Sequence, residues 1–289
     1  AISTRFNVSF PGWIWNSTRC LGGAMTDLVI DVQGLSRASG GGPEYRDVTF
    51  DAEHGDVVVL VGPKGAGKTM LLLGLLGRMG FDAGSGFVDG YDVRRQARLV
   101  RENSAVANVT LFTGLDSSLS VREHVAERVI LNRPWYLPVA RQRSVDAVID
   151  RCLVIAGDVD HRLEGLPEKA VSRLKLRDRP SFRLDPDALV GELDDLQQLA
   201  LEILLACISP VELIGVDDVD LLRTREDRIW AWLLLMELSS VRQSQGLDVT
   251  TVIASCQETT ELNALLDALG DHAEGCAPVR SVLLESKDD

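Results

Sequence analysis

The sequence is short of positive charge. Thirty Lys and Arg stand against 43 Asp and Glu, giving a formal charge of −13 and a pI near 4.8. A nucleic-acid binder needs a basic face to displace counterions from phosphate, so this balance predicts no nucleic-acid partner and no anionic membrane surface as ligand. Cysteine is sparse as well. Cys20, Cys152, Cys207, Cys256 and Cys276 are scattered, odd in number and contain no C-x-x-C pair. That set supports neither a disulfide framework nor a structural zinc site, and predicts a reduced compartment. His54, His124, His161 and His272 show no metal-ligand spacing. No apolar run approaches the roughly 18 residues that a bilayer-crossing helix needs.

What is present is a long chain, 289 residues and 45% hydrophobic, enough for a large core in one domain or two lobes. It is organised around residues 57 to 77. Val57-Val58-Val59-Leu60-Val61 is an unbroken run that predicts a parallel strand covered on both faces. Gly62-Pro63-Lys64-Gly65-Ala66-Gly67-Lys68-Thr69 follows, and Met70 to Met79 reads as an apolar helix. Strand, G-x-x-x-x-G-K-T and helix in that order predict a phosphate-binding loop. Its glycines let backbone N–H groups converge on phosphate oxygens, and the helix N-terminus adds partial positive charge. Lys68 is the expected phosphate ligand and Thr69 the expected Mg²⁺ ligand. Gly62 through Met70 are the candidate nucleotide-binding residues.

Around this centre the elements alternate. Leu28 to Val32 and Val48 to Ala52 suggest two short strands, an antiparallel flap ahead of the core. Phe87 to Val93 reads as a hairpin with an Asp-Gly turn. From Leu119 to about Leu205 the period becomes helical, with Ser120 and Glu123 spaced as a capping box. Leu213 to Val216 and Val249 to Ala254 are further apolar strands, and Leu221 to Gln243 and Thr259 to Leu269 further helices. The expected fold is α/β of the P-loop NTPase type. It has a parallel sheet flanked by helices, a small antiparallel β flap and an inserted helical subdomain. The expected organisation is an extension over 1–25, a nucleotide-binding domain over 26–280 with the helical subdomain at about 115–200, and an acidic tail over 281–289.

Leu213-Ile214-Gly215-Val216-Asp217 supplies the carboxylate that phosphoryl chemistry needs beside Mg²⁺, and Asp218 sits where a base for attacking water belongs. Here the sequence resembles an ATP-binding cassette (ABC) nucleotide-binding domain. Glu53 to Thr69 resembles the family's entry into Walker A, and Asp82 to Gly90 its following D-x-G-x-G…DG hairpin. Leu119 to Val125 resembles the LTVREN entry into the helical lobe, and Leu213 to Asp218 resembles Walker B. The resemblance implies MgATP as cofactor, a separate membrane permease and a second cassette as partners, and a cytoplasmic location on the inner membrane face. It also implies a Mg²⁺-contacting amide at Asn108, forty residues after Lys68. Thr69, Asp217 and Asn108 are then the metal candidates, and Asp218 and Asn108 the catalytic ones.

Several positions depart from the family pattern. The LSGGQ signature falls on Leu193-Asp194-Asp195-Leu196-Gln197, without its serine and glycines. The catalytic Glu is Asp218, the SGLD loop falls on Leu221-Leu222-Arg223-Thr224, and the switch His falls on Cys256. The expected function is therefore the ATP-binding subunit of a transporter with weak hydrolysis, a P-loop ATPase of low intrinsic activity. The alternative is a non-hydrolysing regulatory or scaffold subunit. A kinase built on the same loop would account for Lys68 and Asp217 but leaves the long helical insertion without a role.

Overall fold

The computed structural model describes residues 28–40, 42–109, 113–132, 142–209, 211–244, 250–270 and 277–285. The extension 1–25 and the tail after 285 lie outside the described residues, as do Cys20, Cys276 and His272.

Strands β1 (Leu28–Ser39) and β2 (Gly42–Glu53) pair antiparallel. Each runs for 12 residues, longer than the short strands expected. The alternation was readable only in part because irregularities in register interrupt it, one of them beside Gly34 at φ +64°. Strand β3 (Val57–Val61) is fully buried. Helix α1 (Lys68–Leu75) ends earlier than Met79. Gly77 adopts φ +67°, and Arg78 N–H donates to Leu73 O at 2.8 Å, a glycine-terminated cap that closes the helix.

Strands β4 (Ala83–Val88) and β5 (Tyr91–Asp92) flank the expected Asp89-Gly90 turn, where both residues have positive φ. Helix α2 (Ala97–Glu102) leads to β6 (Ser104–Ala107). The helical lobe contains α3 (Val121–Leu131), α4 (Gln142–Glu164), α5 (Glu168–Leu174) and α6 (Asp195–Ala206). Ser120 and Glu123 form the expected capping box on α3. The lobe is not helical throughout. Residues 176–189, carrying Pro180 and Pro186, cross between α5 and α6 without helix, since proline removes a donor and restricts the residue before it. Strand β7 (Leu213–Val216), α7 (Arg225–Ser244), β8 (Thr251–Cys256), α8 (Thr260–Leu269) and β9 (Val279–Leu283) complete the order.

Two sheets result. The antiparallel one has the order β2-β1-β4-β5, and the parallel one the order β6-β7-β8-β3-β9. β3 is sandwiched between two cores. Val57, Val59 and Val61 face the cluster that includes α7 and the helical lobe, while Val58 and Leu60 face α1 and the antiparallel sheet. Burial on both sides accounts for the unbroken run, each side chain contributing about 1.5–3 kcal/mol. Trp230 and Trp232 are buried on α7 as packing residues. The basic run 94–101 is engaged locally: Arg94 lies 4.6 Å over Phe81, Arg98 pairs with Glu102, and Arg101 donates to Gly77 O.

Candidate functional site

In a parallel sheet all strand C-termini lie at one edge, and here four neighbouring strands deliver polar residues to it. The loop Gly62 to Gly67 follows β3, Asn108 follows β6, Asp217 and Asp218 follow β7, and Ser255 is the next-to-last residue of β8.

The loop turns through Gly65 at φ +88° and Gly67 at φ +82°. A side chain at Gly67 would run into Glu44 O, so β2 itself crowds the loop and requires glycine there. Lys68 is buried, and its Nζ donates to Gly62 O at 2.8 Å and Pro63 O at 3.1 Å. Ala66 is buried, Pro63, Lys64 and Gly65 are exposed, and Met70 is half-buried on α1.

Thr69 Oγ1 donates to Asp217 Oδ2 at 2.7 Å, and Ser255 Oγ donates to Asp217 Oδ1 at 2.6 Å. Asp217 is thereby fixed through both oxygens while buried. Asp218 adopts φ +50°, and its N–H donates to Ser255 Oγ at 2.8 Å. Burial pushes its carboxyl above the usual range, the Asp217 charge adds to this, and Lys68 and Lys64 oppose it. Asn108, at φ +55°, donates from Nδ2 to Asp217 O at 2.6 Å, and its own N–H is accepted by Glu202. Burial raises the Glu202 carboxyl too, against hydrogen bonds from Thr113 and Asn108. A hydroxyl and a carboxylate 2.7 Å apart, beside a glycine-rich turn and the buried Lys68 side chain, fit a hard cation bridged to phosphate.

The residues around this group differ in character. The Cys256 thiol is buried and pushed up to about 12 by burial, with Asp220 adding to it, so it stays neutral. Asp220 accepts instead from Gln257 N–H. Asp194 is the N-cap of α6, accepting from Gln197 N–H at 2.7 Å, and Gln197 Oε1 accepts from Asp194 N–H. The signature-like segment therefore spends its helix N-terminus on its own carboxylate. Asp195 pairs with Arg223 at 3.1 Å, an exposed contact of little energy. Tyr45 is a core residue, its hydroxyl buried without a partner among the described residues and pushed up to about 12 chiefly by burial.

Ser255 and Glu202 join the group from outside any motif. Both left a signal, a polar residue within an apolar strand and a carboxylate among the leucines of α6 beyond its first turn.

Residues 45–218 match the sequence profile of the family described as ABC transporter. The doxorubicin resistance ATP-binding protein DrrA of Mycobacterium tuberculosis is 34% identical over 141 residues, covering 45% of this chain and 39% of that protein. The Nod factor export ATP-binding protein I of Rhizobium meliloti is 29% identical over 181 residues, covering 57% and 52%. The matched part of the chain thus spans about half or less of these relatives' length. Among solved structures, cbiO1 of Clostridium perfringens, part of the ABC transporter complex cbiONQ, aligns with a TM-score of 0.55 at 16% identity. That alignment covers 81% of this chain and 80% of that one. An ATP-binding cassette in an ADP conformation aligns with a TM-score of 0.56 at 17% identity, over 83% and 85%. At such identities the likeness carries the fold.

Proposed function

The chain belongs to the ABC transporter family, and from that premise we propose that it is an ATP-binding subunit, a cassette over 26–280 that couples MgATP to a membrane permease. The observation that carries this reading is the meeting of Thr69 and Asp217 at 2.7 Å beside buried Lys68. Lys68 and the loop N–H groups would hold the β- and γ-phosphates of ATP, and Thr69 and Asp217 would hold Mg²⁺, with the Asn108 amide behind them. Bound there, the cation neutralises charge on the transferring phosphoryl group. Asp218 would accept the proton of attacking water, its raised affinity for a proton suiting it to that role.

Hydrolysis on this reading is weak. Asp218 is one methylene shorter than Glu, and a displacement of about 1 Å can cost ~100-fold. Cys256 offers no charged donor. No helix among the described residues is long and apolar enough to cross a membrane, and the proposal assigns the membrane step to the permease. The relatives named for Nod factor export suggest an export system. The acid-capped α6 favours a second reading, a regulatory subunit that binds MgATP without turning it over.

Calorimetric titration with MgATP and steady-state ATPase separate these readings, with Lys68→Ala as control. Binding lost in Lys68→Ala together with turnover above that control supports an ATPase. Binding with turnover equal to the control supports the regulatory subunit. Binding that survives Lys68→Ala overturns both.

A further inference from the structure

A second cluster lies at the opposite edge of the parallel sheet. His54 occupies the turn from β2 to β3, Asp89 the turn from β4 to β5, and Glu212 the position just before β7. All three are half-buried, and one ligand atom from each lies within 4.8 Å of the other two. They come from three separate turns, 35 and 123 residues apart, so no local spacing marks them in the sequence.

The backbone joins them. Gly55 N–H, next to His54, donates to Thr251 Oγ1 at 3.0 Å, and Thr251 N–H donates to Glu212 O at 2.8 Å. Glu212 N–H donates to Asn103 O at 3.1 Å, and Asn103 Nδ2 reaches Asp89 Oδ2 at 3.5 Å. Asp89 N–H is fixed on Val29 O at 2.7 Å. Ordered backbones behind each side chain are what a ligand set needs to present its atoms together.

We propose that His54, Asp89 and Glu212 bind a divalent first-row transition cation, with Zn²⁺ as the best fit. One imidazole nitrogen and two carboxylates match zinc's ligand preference, and three protein ligands leave a position for water. Mg²⁺ prefers oxygen alone, so the imidazole discriminates against it. The chain's charge of −13 favours any cation. β3 separates the cluster from the phosphate loop by roughly 16 Å, at about 3.3 Å per residue. The cation therefore acts away from the nucleotide, tying a turn of the antiparallel sheet to the parallel one and adding its binding free energy to folding.

Titration of the full chain with Zn²⁺ in excess Mg²⁺ tests this. One saturable site is expected. His54→Gln, Asp89→Asn and Glu212→Gln should each weaken it by at least about tenfold, since losing a partner behind a ligand already costs that much. Lys68→Ala should leave it unchanged. Asn keeps the Asp89 turn, where φ is +50°, and circular dichroism checks each fold. No saturable site in the wild type, or equal affinity in His54→Gln, overturns the proposal. Should a variant fail to fold, the Co²⁺ spectrum of the wild type decides. A low-coordinate nitrogen–oxygen spectrum supports the site, and the spectrum of aqueous Co²⁺ overturns it.

Discussion

Glu202 is a carboxylate set among leucines on α6, holding the Asn108 backbone that in turn presents an amide to Asp217. Burial raises its folded pKa above the unfolded value. The stability it contributes is therefore full below the unfolded pKa of about 4.3 and is lost as pH rises through the folded pKa. Gln keeps the acceptor without the charge. Glu202→Gln should be more stable than the wild type near neutral pH, and the difference should close toward about pH 4, as read by urea midpoints across pH. Asp218 has the same sign, since burial and Asp217 raise its pKa. Asp218→Asn, tolerated at φ +50°, should raise the thermal midpoint at neutral pH while lowering ATPase by about 10²–10⁴-fold. Unchanged turnover would remove Asp218 from the chemistry. At this scale Lys68, Thr69 and Asp217 were legible because each sits in a contiguous motif. Ser255, Glu202 and His54 were less so, because their partners lie in distant loops and turns and only the fold joins them.

Elements were legible where burial is two-sided or periodic, as in β3, α7 and α8, and their ends were less so. α1 stops at Leu75 because Gly77 supplies a left-handed cap, and the apolar run to Met79 hides that. The N-terminus of α6 has the most consequence for function. Asp194 caps the helix and Asp195 is its first residue, whereas Leu196 is buried in the core. Asp194→Ala should cost about 1 kcal/mol by urea denaturation, while Asp194→Ser should cost little because serine also caps. Restoring glycine at 196 is a different matter. Leu196→Gly leaves a cavity worth roughly 2–5 kcal/mol. Leu196 thus has a packing role, and among the departures from the signature only those at 194 and 195 can be reversed at little cost.

The whole molecule carries −13, and in the family this resembles, the signature segment of one cassette meets the γ-phosphate held by another. Two identical copies would bring Asp194 and Asp195 toward that phosphate. At about 4 Å and an effective dielectric of 20, each unit-charge pair opposes closure by ~4 kcal/mol at most. Net charge of one sign adds a longer-ranged repulsion that salt screens within about 8 Å at physiological strength. The chain alone should therefore stay monomeric in sedimentation velocity with MgATP, even when Asp218→Asn prevents turnover. Adding Asp194→Ser and Asp195→Gly should shift it toward dimer, and raising salt should narrow the gap between the two proteins. A wild type that dimerises on MgATP at low salt would mean that this acidic segment never faces a phosphate. If neither protein dimerises, the carboxylates at 194 and 195 are not what keeps two copies apart.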